Sequence, residues 1–133
     1  NGCPGWIYEV GHGATTMWEN WDAIRPDGQV DGCSFNHYAF GSVGEFYYQY
    51  ILGIKPLEPG FRKVKIQPYP DERLGRAAGS YLSRAGEIKS AWKYEGEKVM
   101  ITVAVPVEAE IYLPDGRMEK VSAGEYSYEV NKA

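Results

Sequence analysis

The residues best suited to chemistry lie in two short stretches near the start of the chain. Residues 13–21 have the sequence Gly-Ala-Thr-Thr-Met-Trp-Glu-Asn-Trp, in which one carboxylate, Glu19, lies between the indoles of Trp18 and Trp21. The second stretch, residues 34–41, carries His37 just before an apolar, periodic segment. Flat indole faces stack on the C–H faces of sugars, and a carboxylate beside them can bind a hydroxyl or activate a water. These residues predict one half of a site that processes carbohydrate.

A loop and a helix must position these side chains. Residues 25–33 contain the turn sequences Arg-Pro-Asp-Gly and Asp-Gly, so they form a loop that returns the chain from the first stretch to the second. From Tyr38 onward apolar residues recur every three or four positions, which predicts an amphipathic helix over residues 38–52, about 22 Å long. Either Ser34 or Asn36 caps this helix, and Gly53 ends it.

Beyond a break at residues 53–60, which contain two prolines, the apolar pattern changes to a period of two. The alternation predicts about seven short strands, and the dipeptides Glu95-Gly96, Asp115-Gly116 and Ala123-Gly124 predict hairpin turns between strands. This pattern indicates an antiparallel β-sandwich over residues 55–133. The side chains predicted to share a strand face are Val64 and Ile66; Ile88, Ser90 and Trp92; Val99, Ile101, Val103 and Val105; Ile111 and Leu113; and Tyr126, Tyr128 and Val130.

The chain therefore divides into residues 1–54 and residues 55–133. The first part is too short to form a domain, because one long helix with an aromatic stripe needs other helices to cover it. The chain also begins at Asn1 rather than Met, so we expect it to be part of a longer protein. By itself, we expect it to self-associate or to leave its first ~35 residues disordered, because large apolar side chains would otherwise stay in water.

Composition limits the partners and cofactors. The chain has 133 residues and a net charge of −4, with no cluster of Lys or Arg, so neither nucleic acid nor membrane is expected as a partner. The two histidines, His12 and His37, and the two cysteines, Cys3 and Cys33, lack the spacing of a metal site. We therefore expect no metal and no cofactor. The cysteines are either two free thiols or one pair.

The two stretches and the segments around them resemble the C-terminal end of the bacterial α-L-rhamnosidases, which are inverting glycoside hydrolases with an (α/α)6 barrel. The matching segments are residues 4–6, 13–19, 34–45, 53–54 and 59–61, in the same order and spacing. The resemblance implies a mostly β fold, in which the last helical segments of the barrel, residues 1–54, precede a jelly-roll-like C-terminal β-sandwich, residues 55–133. It also implies two partners, namely rhamnose-containing glycosides or polysaccharides and the remainder of the barrel.

The resemblance further implies a role for the candidate residues. Glu19 matches the family's catalytic base and His37 matches a histidine of its rhamnose site, with Trp18 and Trp21 as candidate substrate contacts. An inverting glycosidase also needs a general acid, with the two carboxyls about 6.5–9.5 Å apart. The family's acid comes from an earlier part of the barrel. We therefore expect hydrolysis of terminal α-L-rhamnosyl linkages with inversion in the longer protein, and no activity in the isolated chain.

Other roles stay open for the same residues. Without the resemblance, Glu19 is interpreted as a solvated acid at a segment boundary, His37 as a helix N-terminal residue bonded to its neighbours, and at least one indole as core. The alternative for the whole chain is a non-catalytic carbohydrate-binding or structural β-sandwich module. If Glu19 is the base, hydrogen bonds must stabilise its ionised form. The nearest candidate donors in sequence are Thr15, Thr16 and Asn20.

Overall fold

The computed structural model describes residues 5–132 and divides the chain into two compact units, one ending at Gly44 and one beginning at Glu45. None of the helices in the described part of the chain combines the length and apolar character needed to cross a bilayer. The helices are α1 (Trp6–Gly11), α2 (Tyr38–Gly41), α3 (Val43–Phe46), a π-helical turn (Tyr47–Ile51) and a 3-10 turn (Pro59–Phe61). The strands are β1 (Ile54–Pro56), β2 (Val64–Ile66), β3 (Arg76–Ser83), β4 (Gly86–Glu95), β5 (Lys98–Val105), β6 (Ala109–Tyr112), β7 (Met118–Val121) and β8 (Gly124–Asn131).

The first unit consists of short helices joined by a long, hydrogen-bonded loop. Within that loop, Ile24 and Val30 form an isolated antiparallel bridge. The N–H of Gly28 donates to the carbonyl of Arg25 over 2.8 Å, which confirms the turn predicted at residues 25–28. Helix α1 was not predicted, because six residues are too few to show a helical period.

The helix predicted from Tyr38 is present as α2, α3 and the π-helical turn, which follow one another along the chain. The predicted cap was wrong. His37 is the N-cap, and its Nδ1 accepts a hydrogen bond from the N–H of Ala39 over 3.2 Å. Ser34 instead accepts from the N–H of Asn36 over 3.2 Å, which uses its hydroxyl in a turn before the helix begins.

The end of this helical run is bonded to the β-sandwich through four consecutive carbonyls, those of residues 50–53, which we call the helix-end carbonyls. The last carbonyls of a helix have no partner within the helix, so other groups must satisfy them. Here the sandwich supplies all four donors. They are the N–H of Tyr69 to Tyr50 (3.1 Å), the indole N–H of Trp92 to Ile51 (2.7 Å), the hydroxyl of Ser90 to Leu52 (2.6 Å) and the N–H of Gln67 to Gly53 (2.9 Å).

The second unit contains the predicted sandwich, built from two four-stranded sheets. Their strand orders are β1-β2-β6-β7 and β3-β4-β5-β8, and every neighbouring pair is antiparallel except the parallel pair β2–β6. Side chains from both sheets form one buried cluster, with Trp92 as its largest fully buried member. The register places Trp92 opposite Ile101 and Ser90 opposite Val103, which confirms the faces predicted for these two strands.

One predicted turn was wrong, and two strands were missed. The hairpins at Glu95-Gly96 and Asp115-Gly116 are present, because they join the paired strands β4–β5 and β6–β7. Ala123-Gly124 joins β7 to β8, which belong to different sheets, so it is a crossing between sheets. A small residue followed by glycine favours a turn, but it carries no information about which strand the chain joins next.

Strands β1 and β3 were missed, since one is very short and the other lacks alternating apolar residues.

Candidate active site

The two stretches singled out from the sequence lie side by side in the first unit. Besides a bond to the carboxylate of Glu19, three hydrogen bonds to backbone carbonyls join residues 16–19 to residues 34–37. They run from the N–H of His37 to the carbonyl of Met17 (2.8 Å), from the N–H of Glu19 to the carbonyl of Ser34 (2.9 Å) and from the hydroxyl of Thr16 to the carbonyl of Phe35 (2.6 Å). The two backbone–backbone bonds pair the segments in antiparallel order, so Glu19 and His37 lie on adjacent segments. We call this arrangement the Glu19–His37 site.

Glu19 is exposed, and its carboxylate is held by one backbone donor. The N–H of Ser34 donates to Oε2 of Glu19 over 2.8 Å. Because the N–H of Glu19 also donates to the carbonyl of Ser34, backbone and side chain of Glu19 are both fixed against one residue. The donors predicted from sequence were wrong, since Thr16 donates elsewhere and the partner lies across the loop. Oε1 accepts no hydrogen bond from the described residues, so it is available to a water or a sugar hydroxyl.

His37 is half-buried, and its ring is oriented by two contacts. Nδ1 accepts the N–H of Ala39, and the imidazole stacks on the ring of Tyr38 with centroids 5.3 Å apart and planes 10° apart. An Nδ1 that accepts a hydrogen bond carries no proton, so the neutral ring has its proton on Nε2. The ring can therefore donate a hydrogen bond from Nε2 to an oxygen of a ligand.

The indoles of Trp18 and Trp21, the candidate substrate contacts, pack against other aromatic rings of the first unit. Trp18 is only 3% exposed and meets Phe35 edge-on, with ring centroids 5.2 Å apart. Trp21 is half-buried and lies parallel to Phe40, with centroids 3.7 Å apart, while Trp6 meets it edge-on at 5.3 Å. One face of Trp21 is therefore covered, and part of its ring remains exposed. Substrate contact by Trp18 and Trp21 stays a prediction.

A second carboxylate in this unit, Glu9 of α1, was missed by the sequence analysis. It is 2% exposed, and its Oε1 has no hydrogen-bond partner among the described residues. A buried acceptor without a partner costs about 1–3 kcal/mol. Burial keeps Glu9 away from solvent and hence from a ligand, so Glu9 does not supply the second carboxyl that an inverting glycosidase needs. Its only signal in the sequence is a charge within an otherwise apolar six-residue helix.

The described residues contain no group of three or more His, Cys, Asp and Glu side chains that could hold a metal ion. Cys33 is half-buried. Cys3 lies outside the described residues, so both interpretations of the cysteines stay predictions.

Two family models match this chain in succession. Residues 1–51 match the six-hairpin glycosidase domain of bacterial α-L-rhamnosidases, and residues 53–127 match the C-terminal domain of the same enzymes. The Glu19–His37 site lies within the first match, and most of the β-sandwich lies within the second.

Individual relatives give the same result. An α-L-rhamnosidase of Streptomyces avermitilis is 39% identical over 123 residues, covering 89% of this chain and 12% of the relative. One of Formosa agariphila is 36% identical over 123 residues, covering 89% of this chain and 13% of the relative. The chain thus spans about one eighth of the length of these relatives.

Solved structures match over nearly the whole chain. The Streptomyces avermitilis α-L-rhamnosidase, solved in complex with L-rhamnose, has a TM-score of 0.80 at 33% identity and covers 98% of this chain and 15% of its own. The Aspergillus terreus α-L-rhamnosidase has a TM-score of 0.83 at 34% identity and covers 97% of this chain and 16% of its own.

Proposed function

Because this chain belongs to the bacterial α-L-rhamnosidase family, we propose that it is part of a longer enzyme that hydrolyses terminal α-L-rhamnosyl linkages with inversion. The substrates are rhamnose-containing glycosides or polysaccharides. The observation that carries this proposal is the pairing of residues 16–19 with residues 34–37, which brings a fixed carboxylate and an oriented imidazole onto adjacent segments. This pairing lies in the part of the chain that matches the six-hairpin glycosidase domain.

In the proposed reaction Glu19 is the general base. Oε2 is held by the N–H of Ser34, so Oε1 takes a proton from a water as that water attacks the anomeric carbon. The bond from the anomeric carbon to the aglycone oxygen breaks as the new C–O bond forms on the opposite face. A carboxylic acid from another part of the longer protein protonates the leaving oxygen, at the separation of about 6.5–9.5 Å typical of inverting enzymes.

The neighbouring residues bind and orient the sugar in this proposal. The Nε2–H of His37 donates to a rhamnose hydroxyl, because Nδ1 is already used at the helix start. Trp21 contacts the sugar through the part of its ring that stays exposed. Trp18 is the immediate neighbour of Glu19, and its packing against Phe35 keeps residues 16–19 in place whether or not it also contacts the sugar.

The isolated chain is expected to release no nitrophenol from an aryl α-L-rhamnoside, whereas the longer enzyme is expected to turn over at about 1–10³ per second. The reason is that the resemblance assigns the general acid to another part of the longer protein, so this chain supplies only the base. The measurement is absorbance of released nitrophenol at equal molar concentrations of both proteins. Turnover by the isolated chain at the rate of the longer enzyme would refute the division of the site between two parts of the protein.

The isolated chain is also expected to self-associate, because large aromatic side chains of its helical run are exposed. Leaving one large apolar side chain in water forfeits about 1.5–3 kcal/mol, so pairing of several such side chains favours association. Sedimentation across a concentration series should show a rising average mass, and replacing Phe46 and Tyr47 by Ser should reduce it. A strictly monomeric chain at all concentrations would contradict this expectation. The exposed members are Tyr38, Phe46, Tyr47, Tyr48 and Tyr50.

A further inference from the structure

One end of the β-sandwich is open to solvent at a position where its strand pattern would place a core residue. In β3 and β4, Tyr81 lies opposite Ile88, so the two side chains lie on the same face of the sheet. Ile88 is fully buried, whereas Tyr81 is 41% exposed. One member of the core-facing row is therefore an aromatic ring that nothing in the described chain covers completely.

This open end forms a pocket of about 530 Å³, which is within the range of about 300–1,000 Å³ of pockets that hold small molecules. Tyr81 and Arg84 line one wall, and the loop between β1 and β2 lines the other. That loop is closed by hydrogen bonds from the N–H groups of Leu57 and Glu58 to the carbonyl of Lys63. The pocket thus combines apolar and aromatic surface with two charged side chains. The loop residues that line it are Pro56, Leu57, Glu58, Pro59, Gly60 and Phe61.

The aromatic wall of the pocket is held by several contacts. Phe61 has a φ of +59°, the only positive φ of a non-glycine residue in the described chain, so its backbone is strained. Its ring lies against Tyr81 with centroids 4.9 Å apart. On another side of Tyr81, Tyr48 packs edge-on at 6.3 Å and donates its hydroxyl to the carbonyl of Ser80 over 3.3 Å. The ring of Tyr81 is therefore fixed before any ligand binds.

The two charged side chains of the pocket have unused hydrogen-bonding capacity. Arg84 is exposed and forms no ion pair or hydrogen bond with the described residues. Glu58 is also exposed, and its one ion pair, to Nε of Arg62, is long at 3.8 Å. A guanidinium offers only donors and a carboxylate only acceptors. Beside the aromatic wall there are therefore free donors and free acceptors.

We propose that this pocket binds one residue of a neutral saccharide, as a second contact that does not involve the Glu19–His37 site. The C–H face of the sugar packs on Tyr81 and Leu57, and its hydroxyls accept from Arg84 and donate to Glu58. An anionic ligand would meet the carboxylate of Glu58. An apolar protein segment would bury Arg84 without a partner, which is costly. A neutral polyol satisfies both charged groups, so the chemistry of the pocket favours it.

The test is an NMR titration of the 133-residue chain with L-rhamnose, followed by the backbone amides. We expect saturable shifts at residues 57–61, apart from Pro59, which has no N–H, and at residues 81–84. Tyr81→Ala should weaken binding by about 2–10-fold through loss of ring contact, and Arg84→Met by a similar factor through loss of its donors. Tyr69→Ala removes a similarly exposed aromatic ring outside the pocket and should leave the affinity unchanged. Glu19→Gln should also leave these shifts unchanged, so the result is independent of the proposed catalytic base.

Three results would overturn the proposal. The first is the absence of saturable shifts at residues 57–61 and 81–84. The second is an affinity for L-rhamnose that is unchanged in Arg84→Met, a surface variant that keeps the fold even if Tyr81→Ala does not. The third is tighter binding of D-glucuronate than of L-rhamnose, which would assign the pocket to anionic ligands.

Discussion

Glu19→Gln in the longer enzyme is expected to lower kcat by about 10²–10⁴-fold, the usual contribution of a general base. Glutamine keeps an oxygen that can accept the N–H of Ser34, so the side chain stays in place while its basicity is lost. The measurement is steady-state hydrolysis of an aryl α-L-rhamnoside, with denaturant unfolding to check that stability is unchanged. Asp22→Asn is the matched control, because it neutralises an exposed carboxylate three residues away and should leave kcat unaltered.

Substitutions of His37 test whether this residue contributes to substrate binding more than to the chemical step. His37→Asn keeps a side chain that can cap a helix, as the imidazole does here, but removes the Nε2–H donor. It should raise KM more than it lowers kcat, whereas His37→Ala should lose the cap as well. If Glu19→Gln retains full activity, Glu19 is not the base. If His37→Asn leaves both kinetic constants unchanged, His37 only caps the helix.

Gly53→Ala is expected to destabilise the second unit by roughly 3 kcal/mol or more, from backbone strain and overpacking together. Gly53 has a φ of +71°, and a Cβ added there would lie 2.0 Å from the carbonyl carbon of Gln67 and 2.2 Å from the nitrogen of Pro68. These are backbone atoms, so relief requires a shift of the strand connection itself. Leu52 and Ile54 on either side are buried in the core and limit such a shift.

The measurement is the free energy of unfolding by denaturant, with Gly96→Ala as the control. Gly96 has a similar φ of +61°, but no atom lies within 4 Å of the added Cβ, so only the backbone strain remains. We expect a loss of about 1–2 kcal/mol for Gly96→Ala. Equal losses in the two variants would show that the backbone around Gln67 yields to the added methyl group.

The spacing of apolar residues predicted a helix or strand wherever a single period dominates the segment. The buried rows of β4 and β5 follow from a spacing of two, because each strand buries one continuous face. The helical run after Tyr38 follows from spacings of three and four, although α2, α3 and the π-helical turn bury none of their residues in this chain. Strand β3 has the sequence Arg-Ala-Ala-Gly-Ser-Tyr-Leu-Ser, whose small residues conceal the alternation. The boundary after residue 54 stays a prediction.

The site could be predicted only in part, because its contacts cross a long loop. The turn at residues 25–28 is local and follows from its composition. The donor to Glu19 is the backbone N–H of Ser34, which any residue except proline could supply, so no side-chain pattern reveals it. The burial of Glu9, whose Oε1 has no partner among the described residues, is likewise a product of tertiary packing, since it depends on the surroundings of a helix of only six residues.

The helix-end carbonyls determine where the sandwich can be separated from the preceding chain without loss of stability. A recombination joint after Ile54 would leave the indole of Trp92 and the hydroxyl of Ser90 buried without acceptors, at about 1–3 kcal/mol each. It would also discard Leu52 and Ile54, two apolar members of the core. Together these losses approach the whole stability of an ordinary domain, about 5–15 kcal/mol. A C-terminal piece that begins at residue 55 is therefore expected to be less stable to denaturant than one that begins at Tyr47 and keeps the π-helical turn.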